Sequence, residues 1–380
     1  MNYPVIQFYP KSMRNISLRP LDPKDLDQLV QLVATRDEMD IDMAKKRVEM
    51  MAWLAFNNPF AGAETTYYIA EDKDRIVGYQ GRMPVQMSVN GETVRGYYPH
   101  DLYVDPGHRK KGHGFWLSMA FAEIIEKESD SFICHFGMTP LNTAIQRKRG
   151  YYETTAQGYI KLINSHFVLR KYLRSKLAAD IIAPMFNGML RFMDKISSLL
   201  VPQSLSLLEI TRFDDRFDAF AQRNKKYLGN STIRNTSYLN WKYVDCPSDK
   251  EKIFAVADDQ EVIKGYIVLS QLTPLGKEQE KAGVILDIVT EKGDKTIAVQ
   301  LIKAAIDYFR SQNTHCVKCV MSDVKYVKVL KRFFFMKKPG KTVLLGNVDR
   351  LPVGSNHEKL KDIENWHMTL GEGDANLFSY

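Results

Sequence analysis

The stretch that most limits what this chain can become is Asp101-Leu-Tyr-Val-Asp-Pro-Gly-His-Arg-Lys-Lys-Gly-His-Gly-Phe-Trp116. Leu102 to Val104 is a short apolar run that reads as a strand. Pro106 and Gly107 end it, and Arg109-Lys-Lys-Gly112-His-Gly114 makes a tight basic turn. From Phe115 to Glu126 the apolar residues Leu117, Phe121, Ile124 and Ile125 fall at helical spacing. A glycine-bearing loop between a strand and a helix suits a phosphate group. Glycine lets the backbone approach closely, loop N–H groups converge on the anion, and the helix N-terminus adds partial positive charge. Arg109, Lys110 and Lys111 add full charges. The spacing excludes two other phosphate loops. No Gly-Lys-Ser/Thr follows, and Leu117 stands where a dinucleotide fingerprint has its third glycine.

Arg-x-x-Gly-x-Gly after Val-Asp-Pro and before an amphipathic helix resembles the pyrophosphate loop of the Gcn5-related N-acetyltransferases (GNAT). The resemblance implies an α/β (α+β) fold with mixed, mostly antiparallel sheets flanked by helices. It implies acetyl-CoA or another acyl-CoA as cosubstrate, with no metal. Arg109, Lys110, Lys111, Gly112, His113 and Gly114 would hold the diphosphate. The backbone of Leu102, Tyr103 and Val104 would pair with the pantetheine arm, and Asn142, opening a later helix, would contact the cofactor.

The surrounding pattern agrees with such a domain over residues 1–164. Ile16-Ser-Leu-Arg-Pro-Leu reads as an opening strand. Asp22, Pro23 and Asp25 start a helix whose apolar face is Leu26, Leu29, Val30 and Val33. Glu38 to Phe56 is a second helical region, the part that in this family shapes the acceptor pocket. Tyr67 to Tyr79 reads as a hairpin, Met83 to Val89 continues its second strand, and Asn90-Gly91 turns the chain into Glu92 to Val104. A strand over 131–137, a helix over 142–148 and a last strand to Ile163 follow.

Thioester-to-amine transfer needs a deprotonated amine, so a carboxylate or histidine must stand near the acceptor. Asp101 and His100 lie just ahead of the central strand, where GNAT enzymes carry an acidic base, and Asp101 is the first choice. Many of these enzymes place a tyrosine acid four residues before a Gly-aromatic pair. Here the pair is Gly150-Tyr151, but the acid's position is Gln146. Tyr151 is then a candidate acid, beside Tyr152 and Tyr103, as is release of the thiolate to solvent.

Residues 165–204 read as a helical connection, two helices joined at Ala183-Pro184. It is rich in Leu, Ile, Met and Phe, with Arg170, Lys171, Arg174 and Lys176 near its start. Such a segment packs across a domain interface or, over 167–200, lies on an anionic membrane. Residues 205–350 read as a degenerate GNAT-like repeat, giving tandem domains. Ile253 to Tyr266 echoes Tyr67 to Tyr79, Val284 to Thr290 echoes the central strand, and Thr296 to Arg310 is again an amphipathic helix. Its loop, Glu291-Lys-Gly-Asp-Lys-Thr, has one glycine and two acids and would repel a diphosphate. Residues 351–380 form a tail.

Tyr238-Leu-Asn-Trp-Lys-Tyr243 and Trp366-His-Met-Thr-Leu-Gly-Glu-Gly-Asp374 resemble segments of two-lobed bacterial GNAT proteins associated with cell-surface polysaccharide synthesis. Sugar stacking and core anchoring are both open to their aromatics. Cys316-Val-Lys-Cys319 lies in a strand pattern without a second Cys/His pair, which excludes a finger-type metal site.

The net charge of +8 favours anionic partners, but no nucleic-acid motif accompanies it. No apolar run approaches the ~20 residues of a membrane span. The first residues lack a signal-peptide pattern, and four cysteines in 380 residues suit a reducing, cytoplasmic setting. The reading is an acyl-CoA-dependent N-acyltransferase acting by direct transfer on an amine of a sugar or glycan precursor. The alternatives are an aminoacyl-tRNA-dependent or acyl-carrier-protein-dependent transferase of the same fold, or a CoA-binding sensor or assembly subunit without catalysis.

Overall fold

In the computed structural model, residues 15–36, 39–129, 131–173, 175–198, 205–247, 251–272, 281–346, 348, 351 and 357–374 are described. The expectation about the extreme N-terminus therefore lies outside them.

The first half begins with β1 (Ile16–Pro20), α1 (Leu26–Ala34) and α2 (Ile41–Phe56). Asp22 accepts from the Lys24 amide and Asp25 returns a bond to the Asp22 amide, closing a capping box ahead of α1. Asp40 caps α2 through the amides of Asp42 and Met43. The hairpin and meander follow as β2 (Tyr67–Asp72), β3 (Arg75–Val89) and β4 (Glu92–Val104). Then come α3 (His113–Glu128), β5 (Phe132–Phe136), α4 (Pro140–Lys148) and β6 (Tyr152–Leu162).

The connection is α5 (His166–Tyr172) and α6 (Lys176–Ser197). The expected break at Ala183-Pro184 is corrected: α6 runs through Pro184, and the helices are instead separated between Tyr172, where α5 ends, and Lys176, where α6 begins. Pro184 removes only the bond to the Asp180 carbonyl, and both residues are exposed, so water can satisfy it.

The second half supplies β7 (Ser206–Ile210), α7 (Asp215–Asn224), β8 (Ser231–Thr232), α8 (Thr236–Tyr243), β9 (Lys252–Ala257), β10 (Ile263–Leu272) and β11 (Ala282–Thr290). After these stand α9 (Lys295–Ser311), β12 (Cys316–Val320), α10 (Val324–Arg332), β13 (Met336–Gly346) and α11 (His357–Lys361).

Where separate sheets were expected, thirteen strands among the described residues form one mixed sheet. Its order is β1-β2-β3-β4-β5-β13-β6-β12-β11-β10-β9-β7, with β8 on β3. The order reads the same from both edges. Each half contributes five strands, three antiparallel pairings and then one parallel pairing. Each then takes its sixth strand from the other half: β13 lies against β5, and β6 against β12. The two exchanged strands meet in the centre.

Alternate residues of each strand feed opposite faces. Tyr68, Ala70 and Val77 pack with Leu117 and Phe121 of α3, while Tyr67, Ile69 and Ile76 belong to the cluster that contains α1 and α2. In the second half, Leu301, Ile302 and Phe309 of α9 pack with Ile267, Leu269 and Ile285. Tyr238, Trp241 and Trp366 are buried, and Trp366 stacks on Phe132 at 5.4 Å. These aromatics anchor the core, so sugar stacking is not open to them. Cys316 and Cys319 are buried in β12. Among the described residues there is no cluster of three or more His, Cys, Asp or Glu placed to hold a metal, and no helix long and apolar enough to cross a membrane.

Candidate active site

The site grows from an irregularity in β4. Between Tyr79 and Gly81 the neighbouring β3 advances two residues, while β4 goes from Tyr103 to His100, which is three. The extra residue makes a β-bulge at Asp101 and Leu102. Asp101 sits there with φ 50°, in the left-handed region that side chains disfavour by about 1–2 kcal/mol. Two arginines hold it. Arg36, just past α1, donates to Asp101 Oδ1 at 2.6 Å, and Arg47 of α2 donates to the same oxygen at 2.5 Å. Burial works against both guanidinium charges, but the Asp101 carboxylate outweighs it and raises both pKa values. The other carboxylate oxygen, Oδ2, is buried without a hydrogen-bond partner among the described residues. His100 packs against Gly81, where a Cβ would come within 2.2 Å of the imidazole.

β4 and β5 pair only at Gly96–Phe132 and Tyr97–Ile133. Beyond that point the strands part, and β5 is held by β13 on its other edge. The gap is a cleft of about 770 Å³. Pro99 to Leu102 line one wall and His135 to Thr139 the other, with Arg36 and Arg47, Gln80, Asn142 and Gln146, and Asp374 from the tail completing it. The side-chain oxygens of Gln80 and Gln146 are likewise buried without partners among the described residues.

Burial pushes the His100 pKa down, against the pull of Asp374, whose Oδ2 lies 3.8 Å from Nδ1. The Tyr67 hydroxyl is 3.4 Å from the same nitrogen. Burial also raises the Asp374 pKa, and it lowers His135 to about 3 with help from Arg149. The cleft therefore holds neutral imidazoles at neutral pH.

The basic loop follows β4. Asp105 accepts from the Gly107 amide, and two short 3-10 turns, Pro106–His108 and Lys110–Gly112, bring the chain to α3. Gly112 has φ 79°, and a Cβ there would meet nothing within 4 Å. Gly112, at the N-cap of α3, offers no side-chain cap. The His113 amide donates to the Lys110 carbonyl, and the amides that follow it present the positive end of the helix. Arg109 Nε donates to the Val104 carbonyl at 2.7 Å, and the guanidinium stacks over Tyr103 at 4.8 Å. Arg109 is thus tied to the end of β4.

Of the residues chosen from sequence, Asp101, His100, Leu102 and Asn142 line the cleft. Arg109, Lys110, Lys111, Gly112, His113 and Gly114 form the loop into α3, and the side chains of Tyr103 and Val104 are buried in the core. Tyr151 lies buried against His135, ring centres 5.4 Å apart, and is not among the cleft-lining residues. Arg36, Arg47 and Gln80 stand in no motif that singles them out in the sequence, and Asp374 closes a run whose aromatics, not its acid, stand out there.

The corresponding place in the second half is occupied. Asp287 of β11 takes Arg234 at 2.7 Å and the Tyr266 hydroxyl at 3.2 Å. The tail then runs alongside: the Gly371 amide donates to the Leu286 carbonyl at 2.7 Å, and Thr369 bridges Met321. The N-terminus of α9 is blocked by its own Asp294, which accepts from the Thr296 and Ile297 amides. Tail and acid stand where the first half leaves a cleft and an open helix end.

The comparisons concur with this geometry. No curated protein matches the sequence. Residues 17–154 match the acetyltransferase (GNAT) domain family. A GCN5-related N-acetyltransferase from Anabaena variabilis superposes with a TM-score of 0.57 at 14% identity, over 87% of this chain and 72% of that one. N-myristoyltransferase from Saccharomyces cerevisiae, solved with bound myristoyl-CoA, gives 0.55 at 12% identity, over 88% and 83%. Identities this low establish the fold alone. Motif, bulge and parted strands lie in or beside the matched residues and agree with the family match over 17–154.

Proposed function

We propose that this protein is an acyl-CoA-dependent N-acyltransferase, with acetyl-CoA as the first candidate donor and an amine on a sugar or glycan precursor as acceptor. The observation that carries the reading is the parting of β4 from β5 directly before an uncapped helix N-terminus with Gly112 in its turn. Backbone groups on the free edge of β4 suit the amides of a pantetheine arm, and the loop suits a diphosphate.

In this reading residues 1–164 form the catalytic domain and 205–350 a degenerate repeat, joined by 165–204. The mirrored strand order supports the duplication, and the tail lying against β11 supports the loss of a second cofactor site. Asp101 is the proposed base. Its support is Oδ2, without a partner among the described residues, which an incoming ammonium would satisfy and to which it would lose a proton. His100 is the neighbouring neutral acceptor. Arg36 and Arg47 act by keeping the carboxylate in its unusual backbone position. With Gln146 where a tyrosine acid would stand and Tyr151 outside the lining, the thiolate leaves to solvent. The amine attacks the thioester carbonyl, the C–S bond breaks, and the amide and free CoA result.

The likeness to an enzyme solved with myristoyl-CoA favours one second reading, a longer acyl chain. Calorimetric titration of acetyl-CoA, octanoyl-CoA and myristoyl-CoA, beside a Gly112→Asp variant, tests both. Binding lost in the variant supports the CoA site, and the tightest thioester gives the chain length. No binding of any thioester would overturn the proposal and favour the aminoacyl-tRNA or carrier-protein alternatives. Asp101→Asn with cofactor affinity kept and turnover lost would separate an enzyme from a CoA sensor.

A further inference from the structure

We infer that the outward face of α6 is a docking surface for an anionic lipid bilayer, on which the helix lies without crossing. Leu177, Ile181, Met185, Met189, Phe192 and Ile196 recur every three or four residues and form one stripe along its length. The stripe is open to solvent: Leu177 is 72% exposed, Ile181 69%, Met185 73% and Phe192 64%. Tyr172, in the preceding helix, is 77% exposed. Large apolar side chains in contiguous exposure mark an interaction site.

The opposite face of α6 is already engaged. Ala179, Ala183, Asp194 and Ser197 are buried, Asp194 pairs with Lys161 and Arg310, and Ser197 donates to the Arg332 carbonyl. The helix is therefore seated on the body of the molecule by one side and apolar on the other. An ordinary surface helix has charge where α6 has Leu, Ile, Met and Phe.

Charge chooses the occupant. At 100° per residue no acidic residue falls within the arc of the stripe. Asp180 lies outside it, bonded to His166 and Arg170. Arg191 and Lys195, one turn apart and both exposed, lie at its border, where long cationic side chains reach headgroups above a buried apolar face. The sequence adds Lys171 and Lys176 at the opposite, N-terminal end of the connection, and the chain carries +8 overall. A second copy of this chain would meet that face with the same cations. The 22 residues of α6 span about 33 Å, long enough to lie along a bilayer surface, where each apolar side chain partitions separately.

The assignment is independent of the acyl-transfer reading, since it concerns where the protein sits. The test is sedimentation of the full-length protein with vesicles of phosphatidylcholine alone and of phosphatidylcholine with phosphatidylglycerol. Binding to the anionic vesicles, weakened by salt and reduced roughly tenfold or more by Ile181→Asp with Phe192→Asp, supports it. The substituted side chains are exposed, and an unchanged melting temperature shows that the variant folds. Absence of binding overturns it, as does equal binding to neutral vesicles or undiminished binding of the variant. Phe192→benzoylphenylalanine adds an independent readout on irradiation with anionic vesicles. Crosslinks to lipid support the assignment. Crosslinks to a second copy or to residues 1–14 of the same chain overturn it.

Discussion

The Tyr98 hydroxyl donates to Glu372, 274 residues further along the chain, at 2.8 Å, with both side chains buried. This bond pins the tail across the two halves. Glu372 also accepts from Thr232 and Arg234, each at 2.6 Å, and Arg234 turns its other side to Asp287. Glu372→Ala would leave a buried guanidinium short of one of its two carboxylates. Breaking a buried pair from one side costs about 3–5 kcal/mol. Urea unfolding of this variant should show a loss of that order. A loss below about 1 kcal/mol would mean that the tail is not part of the cooperative fold.

Stability should also fall with mild acid. Burial lowers the pKa of His135 to about 3 and lowers that of His100. A histidine so depressed stays neutral in the fold while the unfolded chain takes a proton below about 6.5. Its contribution is complete above that pH and declines as pH falls toward the folded value. The slope for each approaches ~1.4 kcal/mol per pH unit. Asp287 has the same sign further down: burial would raise it, but Arg234 and His367 prevail and hold it below the usual carboxylate range. Urea midpoints between pH 4 and pH 6.5 should rise with pH, and His135→Phe should flatten part of that rise.

How far the sequence discloses this molecule depends on distance along the chain. The loop from Arg109 to Gly114 and the meander before it are local patterns, in which glycine, proline and apolar period decide the outcome, and they appear where the sequence places them. The exchange of β6 and β13 is not local. Nothing in Lys338 to Leu345 says that, within β13, its neighbours are Phe136 on one side and Thr154 on the other. Arg36 and Arg47 meet on Asp101 because two helices pack, and Asp374 enters the cleft because the tail is anchored at Glu372. Such residues become visible only when the packing is known. Pro184 shows the opposite error, a local rule overridden because the carbonyl it orphans faces water.

The seam between the exchanged strands gives a sharp contrast of glycines. A Cβ on Gly340 would stand 2.1 Å from the Ala156 carbonyl oxygen, and one on Gly158 would stand 2.4 Å from that of Pro339. Backbone cannot yield as a side chain can. Gly340→Ala should therefore cost at the upper end of the ~1–3 kcal/mol typical of over-packing, or more, with a matching drop in melting temperature. Gly188, inside α6, has nothing within 4 Å. Gly188→Ala should stabilise by about 0.5–1 kcal/mol. If the two substitutions act alike, the central pairing of β6 with β13 is not as described.

Gly81 tests the cleft without touching the cofactor loop. A Cβ there would lie 2.2–2.8 Å from three atoms of the His100 ring, so the ring must swing away. That movement breaks its approach to Tyr67 and Asp374 and crowds the bulge at Asp101. The loop from Arg109 to Gly114 lies beyond the bulge, and the three atoms nearest a Cβ at Gly81 belong to His100 rather than to the loop. Gly81→Ala should therefore lower turnover by roughly tenfold or more, since catalytic groups displaced by about 1 Å lose such factors, and leave thioester affinity within about twofold. Gly112→Asp should do the reverse, losing affinity first. Should Gly81→Ala weaken CoA binding as much as turnover, the imidazole is part of the cofactor's seat, and the base must be sought at Asp101 alone.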